Sequence, residues 1–380
     1  MKAIINGTIL TKDGAVDNHA LLYTDVIEGI VPMDEVPAEA TVLDAEGGYV
    51  AAGLIDLHIH GYLGRDVCDG SAQSLRIISE GLIANGVTGY LPTTMTVGED
   101  TIRGALEAGR QVMAESRRWQ GSTILGFHAE GPFVSPNKAG AQDPRHIQPP
   151  NADLIREYAD VIRLVTVAPE RDTADFAFVR QVRAETDVVV SMGHTEADYA
   201  TAAAAIEAGV GHVTHLFNAM PPISHRAPGA VTAALARDVS CELIVDGYHV
   251  DAALYDLVWR LKGRRLCFIT DCLPAGGLPE GEYTLGGQPI CYDGQVCRLP
   301  NGTIAGSVLA LNRGVWQVYT HSSIPLWECV NAASLNPATV LGMDHRKGSL
   351  EVGKDADIII TDPVFAVRAT IIGGETRYTK

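Results

Sequence analysis

Three short apolar segments of this sequence each end in a side chain that can bind a metal ion. The side chains are Glu130, His194 and His215, and each follows a run of the kind that forms a buried strand. We therefore expect them to emerge from strands into a shared cleft. Three nitrogen and oxygen ligands that leave a position open for water are typical of a hydrolytic metal site. The pattern predicts an enzyme, although a salt-bridged glutamate and satisfied core histidines are the alternative for each residue alone.

A fourth apolar segment, Leu266–Asp271, ends in a carboxylate. A carboxylate at this place can take a proton from water and deliver it to a leaving group, which is the task of a general acid and base. A metal-ligand role is the nearest functional alternative for Asp271, and a helix N-cap is the structural one. We assign Asp271 to proton transfer.

His58 and His60 are separated by one residue. Because side chains alternate along a strand with a period of two, both imidazoles point to the same face. Two such side chains at a strand end can chelate one ion, or they are polar residues at the rim of a barrel. The pair is a weak signal by itself, and its position at the end of the first predicted barrel strand favours a metal site.

Two further histidines are interpreted as structural. His128 shares the face of Glu130 but lies one layer deeper, and His212 should point to the face opposite His215. Neither is assigned to the site.

Arg226 and His249 follow the sixth and seventh predicted strands. The chain carries 29 basic and 46 acidic residues, a formal net charge of −17. Against this background an arginine and a histidine near one cleft could mark a subsite for a phosphate or carboxylate group. Taken alone, each is more often a surface residue.

Eight strand-like segments alternate with helical ones through the middle of the chain. The strand candidates are residues 53–60, 87–92, 123–130, 162–168, 187–194, 211–217, 241–247 and 266–271. Helical periodicity fills the gaps, for example over residues 71–85, 101–118, 197–208 and 251–261. Eight such units predict a parallel (β/α)8 barrel of the TIM type, an α/β fold. The chemistry of such barrels belongs at the carboxyl ends of the strands, where every candidate catalytic residue falls.

The two ends of the chain predict one small β-sandwich domain. Residues 1–52 and 349–380 contain short strand-like runs and turns, and residues 53–348 hold the barrel. Two long loops stand out. The loop 131–150 is rich in glycine and proline and could close over a substrate, and residues 273–306 resemble a hairpin insertion over the mouth of the barrel.

The bulk composition excludes several classes of protein. The negative charge argues against nucleic acid or an anionic membrane as a general partner. Seven cysteines without a metal-type pair favour reduced core thiols. No run approaches the ~18 apolar residues of a membrane span, and the first residues are too polar for the apolar core of a signal peptide. We expect a cytoplasmic protein.

Several motifs together are similar to those of the N-acetylglucosamine-6-phosphate deacetylases of the amidohydrolase superfamily. They are Gly-Leu-Ile-Asp-x-His-x-His-Gly at 53–61, His-Ala-Glu-Gly-Pro-Phe at 128–133, Gly-His-Thr at 193–195, Thr-His-Leu-Phe-Asn-Ala-Met-Pro at 214–221, Asp-Gly-x-His at 246–249 and Thr-Asp at 270–271. Asn-Pro-Ala at 336–338 and Gly-Lys-Asp-Ala-Asp at 353–357 are common across amidohydrolases. The resemblance covers nearly the whole chain and implies a barrel with a small β domain.

The resemblance also implies a metal site. It gives Glu130, His194 and His215 as ligands of a divalent ion, with Asp271 as general acid and base. Members of the family differ at the first-strand motif, and some lack the histidine pair and use one metal. Because His58 and His60 are present here, a second ion bridged to the first by Glu130 is expected. We expect one or two ions per subunit, with zinc as the first choice and iron, cobalt or manganese as alternatives.

The remaining implied residues bind the substrate. The resemblance implies phosphate recognition by Arg226 and His249, and contacts with the sugar or acetamide by Asn218 and Ala219. It also implies a homodimer in which the partner subunit can supply part of the phosphate subsite. Gln142 stands where some relatives carry a histidine that contacts the acetyl carbonyl. Its amide can donate a hydrogen bond but cannot carry charge.

The reaction implied is hydrolysis of N-acetyl-D-glucosamine 6-phosphate to D-glucosamine 6-phosphate and acetate. The alternatives are the galactosamine epimer as substrate, another N-acyl amidohydrolase activity, and a barrel that binds sugar phosphates without catalysis. The fourth predicted strand has no lysine of the kind that bridges the two metals of many binuclear amidohydrolases, so Glu130 fits better as a bridge. The complete ligand set argues against loss of catalysis.

Overall fold

The computed structural model describes all 380 residues, and its centre is a barrel of eight parallel strands. The strands are Leu54–Ile59 (β1), Val87–Thr94 (β2), Phe127–Phe133 (β3), Ile162–Val167 (β4), Val189–Met192 (β5), His212–Val213 (β6), Ser240–Ile244 (β7) and Leu266–Ile269 (β8). Each pairs with the next in parallel register. The barrel closes where the Asp271 N–H donates to the His58 carbonyl over 2.9 Å. The predicted barrel is confirmed.

Helices follow the strands and surround the barrel. They span Ala72–Leu82, Glu99–Ser116, Ala152–Glu157, Ala177–Glu185, Tyr199–Ala208, Gly229–Ala236, Tyr255–Lys262, Leu311–His321, Leu326–Ala332 and Leu335–Val340. Several begin at a side chain that accepts a backbone N–H of the first turn, as Ser71 and Asp198 do. None of the helices combines the length and the apolar character that crossing a membrane would require.

The strands read as continuous apolar runs because both of their faces are buried. Every residue of β1, β2, β3 and β8 is buried. One cluster of nine buried residues joins side chains of β1, β2, β4, β7 and β8. Strands on different sides of a barrel can share contacts only through its interior, so these side chains fill it. The interior is a packed core that supports the site above it.

Two β-sheets pack beside the barrel, one built from the N-terminal end of the chain and one from both ends. A four-stranded sheet consists of Ile27–Pro32, His19–Tyr23, Lys2–Ile5 and Thr41–Asp44, in that order. A six-stranded sheet consists of Glu375–Thr379, Val367–Ile372, Ile358–Thr361, Tyr49–Ala52, Thr8–Thr11 and Gly14–Val16. Fourteen buried residues from the two sheets and their connections form one apolar core.

A three-stranded antiparallel sheet follows β8, with strands Gly281–Leu285, Gln288–Tyr292 and Cys297–Arg298. It contacts the loop after β3, because the Gln288 amide donates to the Ala141 carbonyl over 2.8 Å. A second bond runs from the Gly286 N–H to the Asp66 carboxylate at 2.8 Å. The insertion is therefore attached to the loops at the mouth of the barrel.

Candidate active site

Three of the predicted site residues lie at sharp backbone turns after their strands. The φ angles of His194, His215 and Asp271 are 44°, 29° and 50°, in the left-handed region that side chains other than glycine rarely adopt. Such a conformation costs on the order of 1–3 kcal/mol and persists where the surrounding structure fixes it. The turns end β5, β6 and β8 and place all three side chains at one end of the barrel.

The first cluster of ligand atoms contains Glu130, His194 and His215. Glu130 Oε1 lies 3.1 Å from His194 Nε2 and 2.9 Å from His215 Nε2. The two imidazole nitrogens are 3.1 Å apart. All three side chains are buried, and their ligand atoms are close enough to share one ion.

The second cluster contains His58, His60 and Asp271. The Nε2 atoms of the two histidines are 3.2 Å apart, and Asp271 Oδ1 lies 3.2 Å from His60 Nε2 and 3.5 Å from His58 Nε2. Glu130 joins the two clusters, because its Oε2 lies 3.2 Å from His60 Nε2 while its Oε1 faces the first cluster. The structure thus brings the six predicted side chains together, with Glu130 between the other five.

The hydrogen bonds of the histidines fix which nitrogen faces the centre. His60 Nδ1 lies 3.1 Å from the Thr93 carbonyl and His194 Nδ1 lies 2.7 Å from the Lys138 carbonyl. A carbonyl oxygen can only accept, so each Nδ1 carries its proton and a neutral ring presents the Nε2 lone pair. Lone pairs that converge at about 3 Å repel one another unless a proton or a cation lies between them. This arrangement, with the outer nitrogen held by a carbonyl, fits a divalent metal ion.

The charges in the site shift several pKa values. Burial would raise the pKa of Glu130, but the facing imidazoles of His58 and His194 outweigh it and hold the pKa well below its usual range. Burial opposes a charge on His60, yet its bonds to Asp271 and Glu130 raise the pKa to about 9. The pKa of Asp271 is lowered in the same way, against the effect of burial, by His58 and His60. The charged forms of Glu130, His60 and Asp271 therefore stabilise one another.

A cavity of about 340 Å³ opens beside the two clusters. Its predicted members include Gln142, Asn218, Ala219 and His249. The other lining residues, beyond members of the two clusters, are Met95, Gly140, Ala141, Tyr248, Leu285, Thr303, Ile304 and Gly306. The loop after β3 and the insertion after β8 supply many of these, so both long loops lie at the cavity. The site is concave and mixes apolar and polar groups, as ligand pockets do.

His249 and Arg226 occupy different environments. His249 Nδ1 bonds to the Asp246 carboxylate at 2.7 Å, and this contact outweighs burial and raises the pKa of the imidazole. Its Nε2 has no protein partner and is available to an anionic group. Arg226 is exposed and does not line the cavity of its own chain. The structure therefore brings His249 into the site and leaves Arg226 outside it.

The main functional residue that the sequence analysis missed is Glu242 of β7. This buried carboxylate accepts from His58 Nδ1 at 3.0 Å, from His212 Nε2 at 3.2 Å and from the His215 N–H at 3.0 Å. The sequence feature that could have identified Glu242 is a carboxylate within a largely apolar strand. Of the two histidines interpreted as structural, His128 bonds to the Thr166 hydroxyl at 2.7 Å, and both are fully buried.

Known proteins of one family are similar to this chain over most of its length. The profile of the Amidohydrolase family matches residues 49–377. The chain is 39% identical over 351 residues to an N-acetylglucosamine-6-phosphate deacetylase of Bacillus subtilis (strain 168), and the match covers 90% of this chain and 86% of that one. It is 34% identical over 372 residues to an N-acetylgalactosamine-6-phosphate deacetylase of Escherichia coli O157:H7, with 97% of each chain covered.

A solved structure matches the whole chain. It is that of a mutant N-acetyl-D-glucosamine-6-phosphate deacetylase from Mycobacterium smegmatis in complex with N-acetyl-D-glucosamine-6-phosphate. The TM-score is 0.91 at 31% sequence identity, and the match covers 100% of this chain and 99% of the other. The similarity therefore extends over the barrel and the β-sheets alike.

Proposed function

The chain belongs to the amidohydrolase family, and we propose that it hydrolyses the acetamide of N-acetyl-D-glucosamine 6-phosphate to D-glucosamine 6-phosphate and acetate. The observation that carries this proposal is the meeting of two ligand clusters at Glu130, beside a cavity that also contains His249. A hydrolytic centre and a site for an anion thus share one pocket. The relatives and the substrate complex of the Mycobacterium enzyme support the same reaction.

The enzyme is metal-dependent, and the residues divide between two ions. Glu130, His194 and His215 would hold one ion, and His58 and His60 would hold a second ion that shares Glu130. A divalent ion, when bound, acts as a Lewis acid that polarises a carbonyl and lowers the pKa of water. Zinc suits nitrogen and carboxylate ligands best, and iron, cobalt or manganese are the alternatives.

Asp271 performs the proton transfer. Its carboxylate lies at the edge of the cavity with a pKa held low, so it is ionised and able to accept a proton from the attacking water. The same proton then goes to the nitrogen of the scissile amide, because an amide anion is too basic to leave unprotonated. The C–N bond breaks, the water oxygen stays with the acetyl carbon, and the amine leaves neutral.

The phosphate is held by His249 and by Arg226 of a partner subunit. His249 points a free Nε2 towards the cavity and is held by Asp246. Arg226 lies on an exposed loop outside the cavity of its own chain, so a homodimer that brings this loop to the neighbouring site would complete the subsite. Anchoring a remote phosphate positions the acetamide and so contributes to the rate.

Gln142, Asn218 and Ala219 contact the acetamide and the sugar. Gln142 is buried beside Glu130 and carries two amide protons, only one of which is used by Glu130. The second can be donated to the acetyl carbonyl. Asn218 makes only long bonds of 3.4 Å to backbone carbonyls, so its amide is free to bind a sugar hydroxyl.

The test is amine release from N-acetylglucosamine 6-phosphate, with unphosphorylated N-acetylglucosamine and N-acetylgalactosamine 6-phosphate as parallel substrates. Fast turnover of the glucosamine phosphate alone is the expected result. Similar turnover of the phosphorylated and the unphosphorylated sugar would contradict the proposed anion subsite. Preference for the galactosamine epimer would favour the second candidate activity, which the similarity to the Escherichia coli enzyme supports.

A further inference from the structure

Glu242 lies beneath both ligand clusters and is fully buried. Its Oε2 accepts hydrogen bonds from His58 Nδ1 and from the backbone N–H of His215, each at 3.0 Å. Its Oε1 lies 3.2 Å from His212 Nε2. One carboxylate therefore contacts a side chain of the second cluster and the backbone of the first.

The contact to His58 determines the orientation of that imidazole. With the Nδ1 proton donated to Glu242, His58 Nε2 faces Glu130, His60 and Asp271 at 3.2 to 3.5 Å. If the ring exchanged its tautomer, the Nδ1 lone pair would face the Glu242 carboxylate, and this buried acceptor would lose a donor. The other ligand histidines differ, because His60 and His194 bond to backbone carbonyls and His215 Nδ1 has no hydrogen-bond partner. Among the ligand histidines, His58 is the one that a side-chain carboxylate orients.

A stable barrel does not need a carboxylate at this position. The other residues of β7 that face the barrel interior or the helices include Cys241, Leu243 and Ile244, which are buried and apolar. A buried charge costs free energy unless it is paired, and replacing such a charge with a well-packed apolar residue is often neutral or stabilising. The hydrogen bonds to the imidazoles of His58 and His212 explain why a carboxylate lies here, whereas packing does not.

We propose that Glu242 is a positioning residue that holds the His58 imidazole in the orientation needed to bind the second divalent ion. The inference rests on the metal site of the proposed function. Glu242 does not line the substrate cavity, and it contacts the ligand clusters through the His58 imidazole and the backbone N–H of His215. An outer carboxylate on a ligand histidine typically changes metal affinity 10- to 100-fold.

The experiment titrates Zn²⁺ into metal-free protein and counts the bound ions by mass spectrometry of the metal, with affinities from a competing chelator. The wild type should bind two ions. Glu242→Met, which removes the acceptor, should bind the second ion 10- to 100-fold more weakly. Glu242→Gln keeps an acceptor oxygen but loses the charge. It should therefore bind two ions, with the affinity for the second ion reduced about tenfold.

Asp56→Asn is the matched control. Asp56 is also a fully buried carboxylate, but it contacts His58 only through the backbone N–H at 3.2 Å and bonds otherwise to Thr270. The amide of asparagine has the same shape and keeps an oxygen that can accept these hydrogen bonds. This variant should retain both ions at wild-type affinity.

Three results would overturn the proposal: a wild type that takes a single ion, a Glu242→Met protein that binds both ions with wild-type affinity, or an equal loss of affinity for the second ion in Asp56→Asn. If Glu242→Met does not fold, unchanged affinities in Glu242→Gln would overturn the proposal instead. Ion counts do not depend on turnover. A wild type with two ions and no activity on the sugar phosphate would refute the proposed substrate and leave the role of Glu242 intact.

Discussion

Gln142 donates a side-chain N–H to Glu130 Oε2 over 2.6 Å, while its own carbonyl oxygen accepts the Thr96 N–H at 2.5 Å. The amide is thereby held between Thr96, in the loop after β2, and the carboxylate that joins the two ligand clusters. Its orientation is fixed, because the carbonyl must face the N–H and the amino group must face Glu130. The second proton of the Gln142 amino group bonds to neither Glu130 nor Thr96.

Gln142→Leu should therefore reduce kcat about 100-fold and change KM little, because a donor to the developing oxyanion is lost. Gln142→His, which restores a donor, should recover part of the rate. The measurement is steady-state kinetics on N-acetylglucosamine 6-phosphate with metal content checked for each variant. An equal loss of kcat in the histidine variant would assign Gln142 to holding Glu130 rather than to the carbonyl.

Asp271→Asn should retain metal and lose turnover by a factor of about 10²–10⁴, the usual contribution of a positioned acid and base. The amide keeps the shape of the carboxylate but cannot take a proton from water. Ion content and kcat measured on the same preparation test this. Near-normal turnover would show that another group moves the proton, and loss of the metal would assign Asp271 to ligation instead.

Arg226→Ala should raise KM for the phosphorylated substrate and leave the slow reaction of unphosphorylated N-acetylglucosamine unchanged, because the guanidinium contacts only the phosphate. Arg180→Ala is a suitable control, since Arg180 is exposed and pairs with Asp175 outside the cavity. If Arg226 acts from a partner subunit, mixing Arg226→Ala and Asp271→Asn subunits should restore activity. An equal effect on both substrates would remove Arg226 from the phosphate subsite.

Metal affinity should fall as the pH is lowered below about 9. In the metal-free protein the pKa of His60 is about 9, so below that pH the ring carries a proton that an ion must displace. Each displaced proton weakens binding about tenfold per pH unit below the pKa. Zn²⁺ affinities measured by competition between about pH 6 and 9 test this. A flat profile would show that neither His58 nor His60 gives up a proton when the ion binds.

The convergence of the site could be predicted because its residues follow strands. Glu130, His194 and Asp271 each come at or after the end of an apolar run, and a parallel barrel brings such ends together. The family resemblance then assigned their roles, and the match to the Amidohydrolase family confirms the resemblance. The predicted strand 211–217 was too long, because the left-handed turn at His215 follows a strand of only two residues, His212–Val213.

Other features of the site could not be obtained from the sequence. Glu242 was visible as a polar residue in an apolar strand, but its partner His58 lies 184 residues away. Tyr248, Thr303 and Ile304 line the cavity from loops whose paths no periodicity specifies. The exposure of Arg226 likewise depends on the fold of its loop, so its placement outside the cavity came only from the structure.

The pairing of Tyr49–Ala52 with Ile358–Thr361 has a consequence for how the protein is made. The two strands are neighbours in one sheet, although about 300 residues separate them in the chain. At typical rates of translation the early strand waits roughly 15 to 60 s on the ribosome before its partner exists. The six-stranded sheet can therefore be completed only at the end of synthesis, and until then an unpaired strand edge is exposed to aggregation or to capture by a chaperone.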